Sequence, residues 1–400
     1  MKNSLLFFSA LLLLGCQANQ SEKELGPIVR NSLDLAADQY RMMHQQVPDT
    51  LFPRTTATPQ GDSLITNQSS WWTSGFFPGS LWYLYEYTGY DEIKRMAQER
   101  SCSVEQEKHN SGDHDIGFKI YCSFGNGYRI TGNEEYAEVM MTAAKTLTER
   151  YDEDVKAIRS WGDKDDQEPP YQVIVDNMMN LELLFWATRH SGDSVYAKIA
   201  INHADQTMEH HYREDGSSYH VVDFDPQTGE VINKRTHQGF ADSSAWARGQ
   251  SWGLYGYVMS YRETQKKRYL QQAREIAQFL LNHPRLPEDN IPYWDYDAPA
   301  QGGSELRDAS AGAIMASALL ELSDYVEGDE KAFYYNNAKK IIRSLSNDKY
   351  RSDRSENSHF LLKHNVGHLP GDSEVDVPLS YADYYYLESM MRYLRDQTEN

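Results

Sequence analysis

Two aspartates carry the chemistry this sequence is able to support. Asp115 and Asp176 each open a run rich in apolar, aromatic and small residues, and the starts of the similar runs supply Trp71, Trp72, His114, Asn177, Trp246, Arg248, Gln250, Trp252 and Asp308. Carboxyl pairs donate and accept protons in sugar chemistry, aromatic rings stack on the apolar faces of a pyranose, and amides bind its hydroxyls. The mixture points to a carbohydrate. Each residue also has a plainer role to set against that one. An aspartate ahead of a helix commonly caps it, a tryptophan in an apolar run commonly fills a core, and a histidine is often satisfied by hydrogen bonds alone. His210 and His211 are adjacent, so they do not share one helix face as metal ligands would. No metal and no cofactor are expected.

Residues so far apart in the chain need a scaffold that gathers them. A similar unit recurs, with rich runs starting near Trp72, Asp115, Asp176, Arg248, Ser310 and Tyr381. Segments such as Leu181 to Trp186 and Ala313 to Leu322 are apolar around most of their circumference, which predicts helices buried on most sides. The turns Thr88-Gly89, Thr131-Gly132-Asn133, Ser191-Gly192-Asp193 and Glu327-Gly328-Asp329, with Glu263-Thr264 in the fourth unit, are stop and start signals. Amphipathic helices follow at Glu134 to Glu149, Val195 to His211, Lys267 to Leu281 and Lys331 to Leu345, with one near Ile28 to Gln45 and another after Gly89. Six inner and six outer helices in alternation predict an all-α, single-domain (α/α)6 toroid. The returns from outer to inner helices are the long ones: Asp152 to Val175, Glu214 to Trp246, Asn282 to Asp308 and Asn347 to Leu379. The long loops therefore share one face, and the site belongs where they meet the starts of the inner helices.

The 400 residues carry a formal net charge of -20, which argues against nucleic acid or an anionic membrane surface as partner, since both need a basic footprint. A small acidic ligand remains compatible if the site places cations locally. The N-terminus reads Met1-Lys2, an apolar run from Leu5 to Leu14, then Gly15-Cys16, too short to span a bilayer. The run resembles a bacterial lipoprotein signal. That implies a signal peptide over 1–15, a lipid on Cys16, a flexible tether over 16–25 and a catalytic domain over 26–397, held in the periplasm through Cys16 alone. Cys102 and Cys122 are expected as two buried thiols rather than a disulfide.

Trp72-Thr73-Ser74-Gly75-Phe76-Phe77-Pro78-Gly79, His114-Asp115-Ile116-Gly117-Phe118, Val175-Asp176-Asn177-Met178 and His237-Gln238-Gly239-Phe240 form an ordered series. It continues in Ala245-Trp246-Ala247-Arg248-Gly249-Gln250-Ser251-Trp252-Gly253. From about Leu25 to Arg395 the series resembles the unsaturated glucuronyl hydrolases, family 88 of the glycoside hydrolases, in a Bacteroidetes-like lipoprotein form. The resemblance implies an (α/α)6 barrel and, as substrates, small fragments of chondroitin, hyaluronan or heparin that carry a 4,5-unsaturated uronic acid. It implies that Asp176 is the proton donor, acting on the double bond, and Asp115 the second essential carboxyl. His114, Trp161, His220, Thr236, Gln238, Arg248 and Trp252 match positions lining the sugar site, and Trp72 and Asn177 join them from the reading above. The fork of Arg248 suits the uronate. One stretch departs from the family: Lys363-His364-Asn365-Val366-Gly367 has no tyrosine for the uronate, which leaves Ser380 and Tyr381 as the substitutes to consider. Related pectin-acting rhamnogalacturonyl hydrolases, a non-catalytic glycan-binding lipoprotein and a glycosidase of saturated sugars are the alternatives, and the HQGF and WARGQ pattern favours the glucuronyl family.

Overall fold

The computed structural model describes residues 8–299 and 305–399, with side chains described over 25–299 and 305–398. In chain order the helices are α1 (Phe8–Gln46), α2 (Phe76–Thr88), α3 (Asp91–Val104), α4 (Ile116–Ile120), α5 (Asn126–Thr131), α6 (Glu134–Thr148), α7 (Leu181–Ser191), α8 (Ser194–His211), α9 (Ala247–Thr264), α10 (Lys267–Asn282), α11 (Ala309–Ser323), α12 (Gly328–Leu345) and α13 (Ser380–Glu399). A π-helical turn, Tyr121–Gly125, joins α4 to α5 into one bent inner element. With that element, α2, α7, α9, α11 and α13 make the inner ring, which closes because α13 packs on both α11 and α2. The remaining six helices form the outer ring, as the repeat predicts.

Burial follows from the sequence pattern of each ring. Every residue of α11 is buried, whereas α10 buries one stripe, Tyr269, Gln272, Ala273, Ile276, Ala277 and Leu280, spaced three and four apart. Tight inner-to-outer turns depend on a left-handed residue past the helix end. Gly89, Gly132 and Gly192 supply it at φ 69, 65 and 77°, and Gln265 stands in at φ 54° where the fourth hairpin has no glycine.

The outer-to-inner connections hold small sheets that the sequence reading did not foresee. β1 (Phe52–Thr56) pairs with β2 (Leu64–Asn67), β3 (Tyr151–Asp152) with β4 (Ala157–Ile158), and β5 (Tyr171–Ile174), β6 (Val221–Phe224) and β7 (Val231–Arg235) make a three-stranded sheet; β8 (Asn365–His368) pairs with β9 (Ser373–Val377). All of these pairings are antiparallel. They sit on the long-loop face.

Helix α1 runs through residues 16–25, the stretch expected as a flexible tether, where Gln17, Ala18, Glu22, Lys23 and Glu24 are good helix formers. Residues 1–7 of the expected signal lie outside the described residues. Of the two thiols expected as buried, Cys122 is buried but Cys102 is exposed, and both are free; Cys102 lies on the outward side of an outer helix. No described helix is long and apolar enough to cross a membrane.

Candidate active site

The starts of the inner helices and the β hairpins enclose a cavity of about 290 Å³ on the long-loop face, and Asp115 and Asp176 both line it. That volume is near the lower end of the ~300–1,000 Å³ usual for small-ligand sites. Asp115 holds the N-cap position of α4, yet its side chain makes no capping bond. Asp308 shows the contrast: it caps α11 by accepting from the Ser310 and Ala311 backbone N–H groups. Asp176 sits in a 3-10 stretch, Val175–Asn180, with Oδ2 buried and without a hydrogen-bond partner. The capping explanation thus fails for both aspartates.

Their surroundings favour the protonated form. Burial pushes Asp176 up to about 7 against the pull of Arg248. Burial, helped by the nearby Asp113, holds Asp115 well above the usual carboxyl range, and Lys119 offsets part of this. Lys119 is itself fully buried and paired with Asp113 Oδ2 at 2.8 Å.

Each aspartate faces a neutral histidine. His220 Nδ1 accepts from the backbone N–H groups of His237 and Gln238 at 3.2 and 3.1 Å, which puts the ring proton on Nε2, 3.6 Å from Asp176 Oδ2. Asn180 Oδ1 accepts from the Phe118 N–H at 2.9 Å, so its Nδ2 is the donor that meets His114 Nδ1 at 3.3 Å. The proton of His114 therefore also sits on Nε2, 3.6 Å from Asp115 Oδ1. Burial drives His114 down to about 3 and His220 well below its ordinary value, so both rings stay uncharged donors at working pH.

Trp72, His114, Trp161, Gln238 and Arg248 line the cavity as the sequence reading expects, whereas His220 acts from behind Asp176. Three other expected residues lie outside the cavity lining. Asn177 is fully buried and donates from Nδ2 to the Ile158 carbonyl at 2.9 Å, because one step along a three-residue turn carries a side chain away from the direction of Asp176. Trp252 is 0 % exposed and packs on Phe118 and Tyr385; lying one turn deeper than Arg248 on the same helix face, it supports the floor. Thr236 uses its Oγ1 to accept from the Gly239 N–H at 2.8 Å, which closes a turn outside the cavity lining.

Arg248 lines the cavity but is not a free fork. It is 1 % exposed; Nη1 donates to Asp308 Oδ2 at 3.0 Å and to the Val366 carbonyl, and Nη2 donates to the Gly367 carbonyl at 2.6 Å. Gln238 Nε2 donates to that same Gly367 carbonyl at 2.8 Å, so the β8–β9 hairpin is clamped onto the site. The sequence reading missed the rim contributed by the hairpins. Arg54 from β1 pairs with Glu374 from β9 at 2.5 Å and lies over the Trp71 ring, while His368 Nε2 meets the His237 carbonyl at 3.0 Å. No motif links these residues in the chain; the packing of the β1–β2 hairpin beside the β8–β9 hairpin brings Arg54 to Glu374. Among the described residues no cluster of three or more His, Cys, Asp or Glu side chains is arranged to hold a metal ion.

With this geometry in place, similarity to known proteins adds the family. The profile of Glycosyl Hydrolase Family 88 matches residues 45–386. The chain belongs to this family. It is 42 % identical to an unsaturated glucuronyl hydrolase of Formosa agariphila over 94 % of this chain and 93 % of that one. It is 34 % identical to an unsaturated chondroitin disaccharide hydrolase of Streptococcus pyogenes serotype M1 over 92 % of each. Among solved structures it resembles an unsaturated glucuronyl hydrolase specific for heparin, with a TM-score of 0.88 and 41 % identity over 93 % of this chain and 98 % of that one. It also resembles a Streptococcus agalactiae variant in complex with dGlcA-GalNAc6S, with a TM-score of 0.79 and 30 % identity over 92 % of each.

Proposed function

We propose that this family 88 protein is an unsaturated glucuronyl hydrolase that removes the 4,5-unsaturated uronic acid from the non-reducing end of small glycosaminoglycan fragments, by hydrating the C4=C5 bond. The observation that carries the reading is Asp176, a carboxyl with no capping duty that keeps a proton near neutral pH inside a cavity of single-sugar size. The substrates named for its relatives, chondroitin disaccharides, heparin and dGlcA-GalNAc6S, support the glycosaminoglycan class over pectin.

The substrate ring is an enol ether, so protonation at C4 develops positive charge at C5 that the ring oxygen shares. Asp176 gives that proton, and the His220 Nε2–H faces the carboxylate left behind. Water adds at C5 and returns a proton to Asp176; the hemiketal opens and expels the next sugar. Asp115, held protonated beside His114, donates a hydrogen bond to the sugar without adding a negative charge near the uronate. Proton transfer of this kind contributes ~10²- to 10⁴-fold in rate.

The test is loss of ultraviolet absorbance from unsaturated disaccharides of chondroitin, hyaluronan, heparin and pectin. Loss on at least one glycosaminoglycan disaccharide is expected. Loss on the pectin fragment alone moves the protein to the rhamnogalacturonyl class, and binding without loss makes it a glycan binder. In heavy water the product should carry deuterium at C4 when first formed, and a thioglycoside should still lose its double bond. A bound thioglycoside left unreacted, or a product without that deuterium, would return the protein to anomeric displacement.

The Leu13-Leu14-Gly15-Cys16 run supports a lipoprotein held in the periplasm through Cys16. Cys16→Ser should release the protein from the membrane fraction, and a variant that stays there unchanged removes the anchor from Cys16.

A further inference from the structure

A second cavity lies at the pole of the ring opposite the mouth, of about 420 Å³ against about 290 Å³ for the catalytic one. Late residues of the inner helices line it, and it shares only Phe118 with the catalytic cavity. Tyr121, Cys122 and Gly125 of the π-helical turn form part of its wall, and such turns are frequent at functional sites. Five arginines, Arg129, Arg189, Arg262, Arg392 and Arg395, border this one space in a chain of net charge -20.

Ion pairing accounts for most of that charge, and arginines near helix C-termini also suit the helix dipole. Arg262 donates through all three of its nitrogens, to Glu182, Glu263 and Glu321. Arg129 and Arg395 share Glu86, and Arg189 pairs with Glu263. Arg392 is different. Its Nη1 donates to Glu321 Oε2 at 2.6 Å and its Nη2 to the Tyr255 hydroxyl at 3.3 Å, but its Nε is buried with no hydrogen-bond partner among the described residues. A buried donor left unpaired is costly, more so on a charged group. Both oxygens of Glu263, Glu321 and Glu388 already accept from other groups, and burial pushes Glu182 toward its protonated, donating form. What the cavity lacks is an acceptor.

Arg189 and Arg395 line the cavity with side chains 50 and 41 % exposed, so they mark its open side. We propose that this cavity is a second ligand site for a small oxyanion, a sulfate or phosphate group whose oxygen receives the Arg392 Nε–H while Arg189 and Arg395 add positive charge from the open side. Such a group exists free in solution or as an ester on a sugar fragment, and the volume lies within the ~300–1,000 Å³ of small-ligand sites. The site stands apart from the hydration chemistry and from the function proposed above.

Isothermal titration of the full chain with inorganic sulfate, and separately with a saturated sulfated monosaccharide, tests the site. Wild type should bind at least one of the two. Arg392→Lys keeps a cation beside Glu321 but removes the Nε donor, and should weaken binding by about 10-fold or more, the usual worth of a hydrogen bond to a charged group. Arg189→Gln changes a half-exposed side chain whose partner Glu263 keeps Arg262, so the fold is preserved, and it should weaken binding by about 2- to 5-fold. Binding of the inorganic ion alone assigns the site to a free anion, whereas binding of the sugar ester with equal or greater affinity assigns it to a sulfated fragment. Absence of binding with both probes overturns the proposal. So does binding that a folded Arg392→Lys leaves unchanged or, where that variant does not fold, binding that Arg189→Gln leaves unchanged.

Discussion

Asp176→Asn is expected to lower kcat by ~10²- to 10⁴-fold while leaving substrate affinity nearly intact, because the amide keeps the shape and has no acid proton to give. The same substitution should make the protein more stable at neutral pH. Burial lifts the folded-state value from 3.8 to about 7. Between those two values the unfolded chain has released its proton and the folded chain still holds one, so stability falls as pH rises across that window and levels off above it. Asparagine has nothing to titrate. The variant should therefore gain on the wild type by up to roughly 3–4 kcal/mol at pH 8, with the difference closing near pH 4. Wild-type activity should decline as pH passes above about 7, where Asp176 loses its proton. Denaturant titrations at pH 4 and 8, beside absorbance assays, measure both effects. Near wild-type turnover in the variant would dismiss Asp176 as the acid; equal stabilities at pH 8 would dismiss the raised pKa.

Gly117→Ala should damage catalysis almost as severely without touching an ionisable group. A Cβ on Gly117 would lie 2.6 Å from Asn180 Oδ1 and 2.7 Å from Asn180 Cα, closer than atoms tolerate, and the second of these is backbone. Asn180 both receives the Phe118 N–H and orients His114, so this contact joins the segment carrying Asp115 to the stretch carrying Asp176. Relief of the clash has to separate those two segments or turn the Asn180 amide. Overpacking of this kind costs ~1–3 kcal/mol, and a shift of about 1 Å between reacting groups costs up to ~10²-fold in rate. The expected result is a folded protein of reduced stability whose kcat is down by about that factor, read by the same two assays. Unaltered kcat would show that the two segments are not held in register through Gly117.

The ring was legible because its signals are local and repeated. A helix such as α11, apolar on every side, has only a ring interior to occupy, and Gly89, Gly132 and Gly192 mark where each hairpin turns. The place of Asp115 and Asp176 at the cavity was legible through position, since they stand at helix starts facing the long loops; their distinct roles are what the motif resemblance implies. Direction of a side chain was harder to read. Asn177 and Trp252 follow the cavity-lining Asp176 and Arg248 by one and four positions and share their segments, but one turns into the body and the other lies a turn below the floor. The rim was not legible at all: β9 reads Ser-Glu-Val-Asp-Val, too short and too acidic to announce a strand, and its Glu374 meets Arg54 only because two separate hairpins, distant in the chain, pack side by side. Nor does a sequence tell which of a guanidinium's hydrogens are already taken, as those on Nη1 of Arg248 are.

The direction of α1 also decides how the molecule would present itself. The helix ends at Gln46, just before the chain enters β1 and the rim, so its C-terminal end points at the mouth. Tyr87, near the opposite end of α2, donates to the Arg30 carbonyl and to Asp34, which sets the first packed turns of α1 at the closed pole of the ring. A protein tied down through its N-terminus would be held by that pole, with its opening turned outward to the fluid. It would meet sugar fragments as they diffuse in, and a membrane beneath it would never obstruct the entrance.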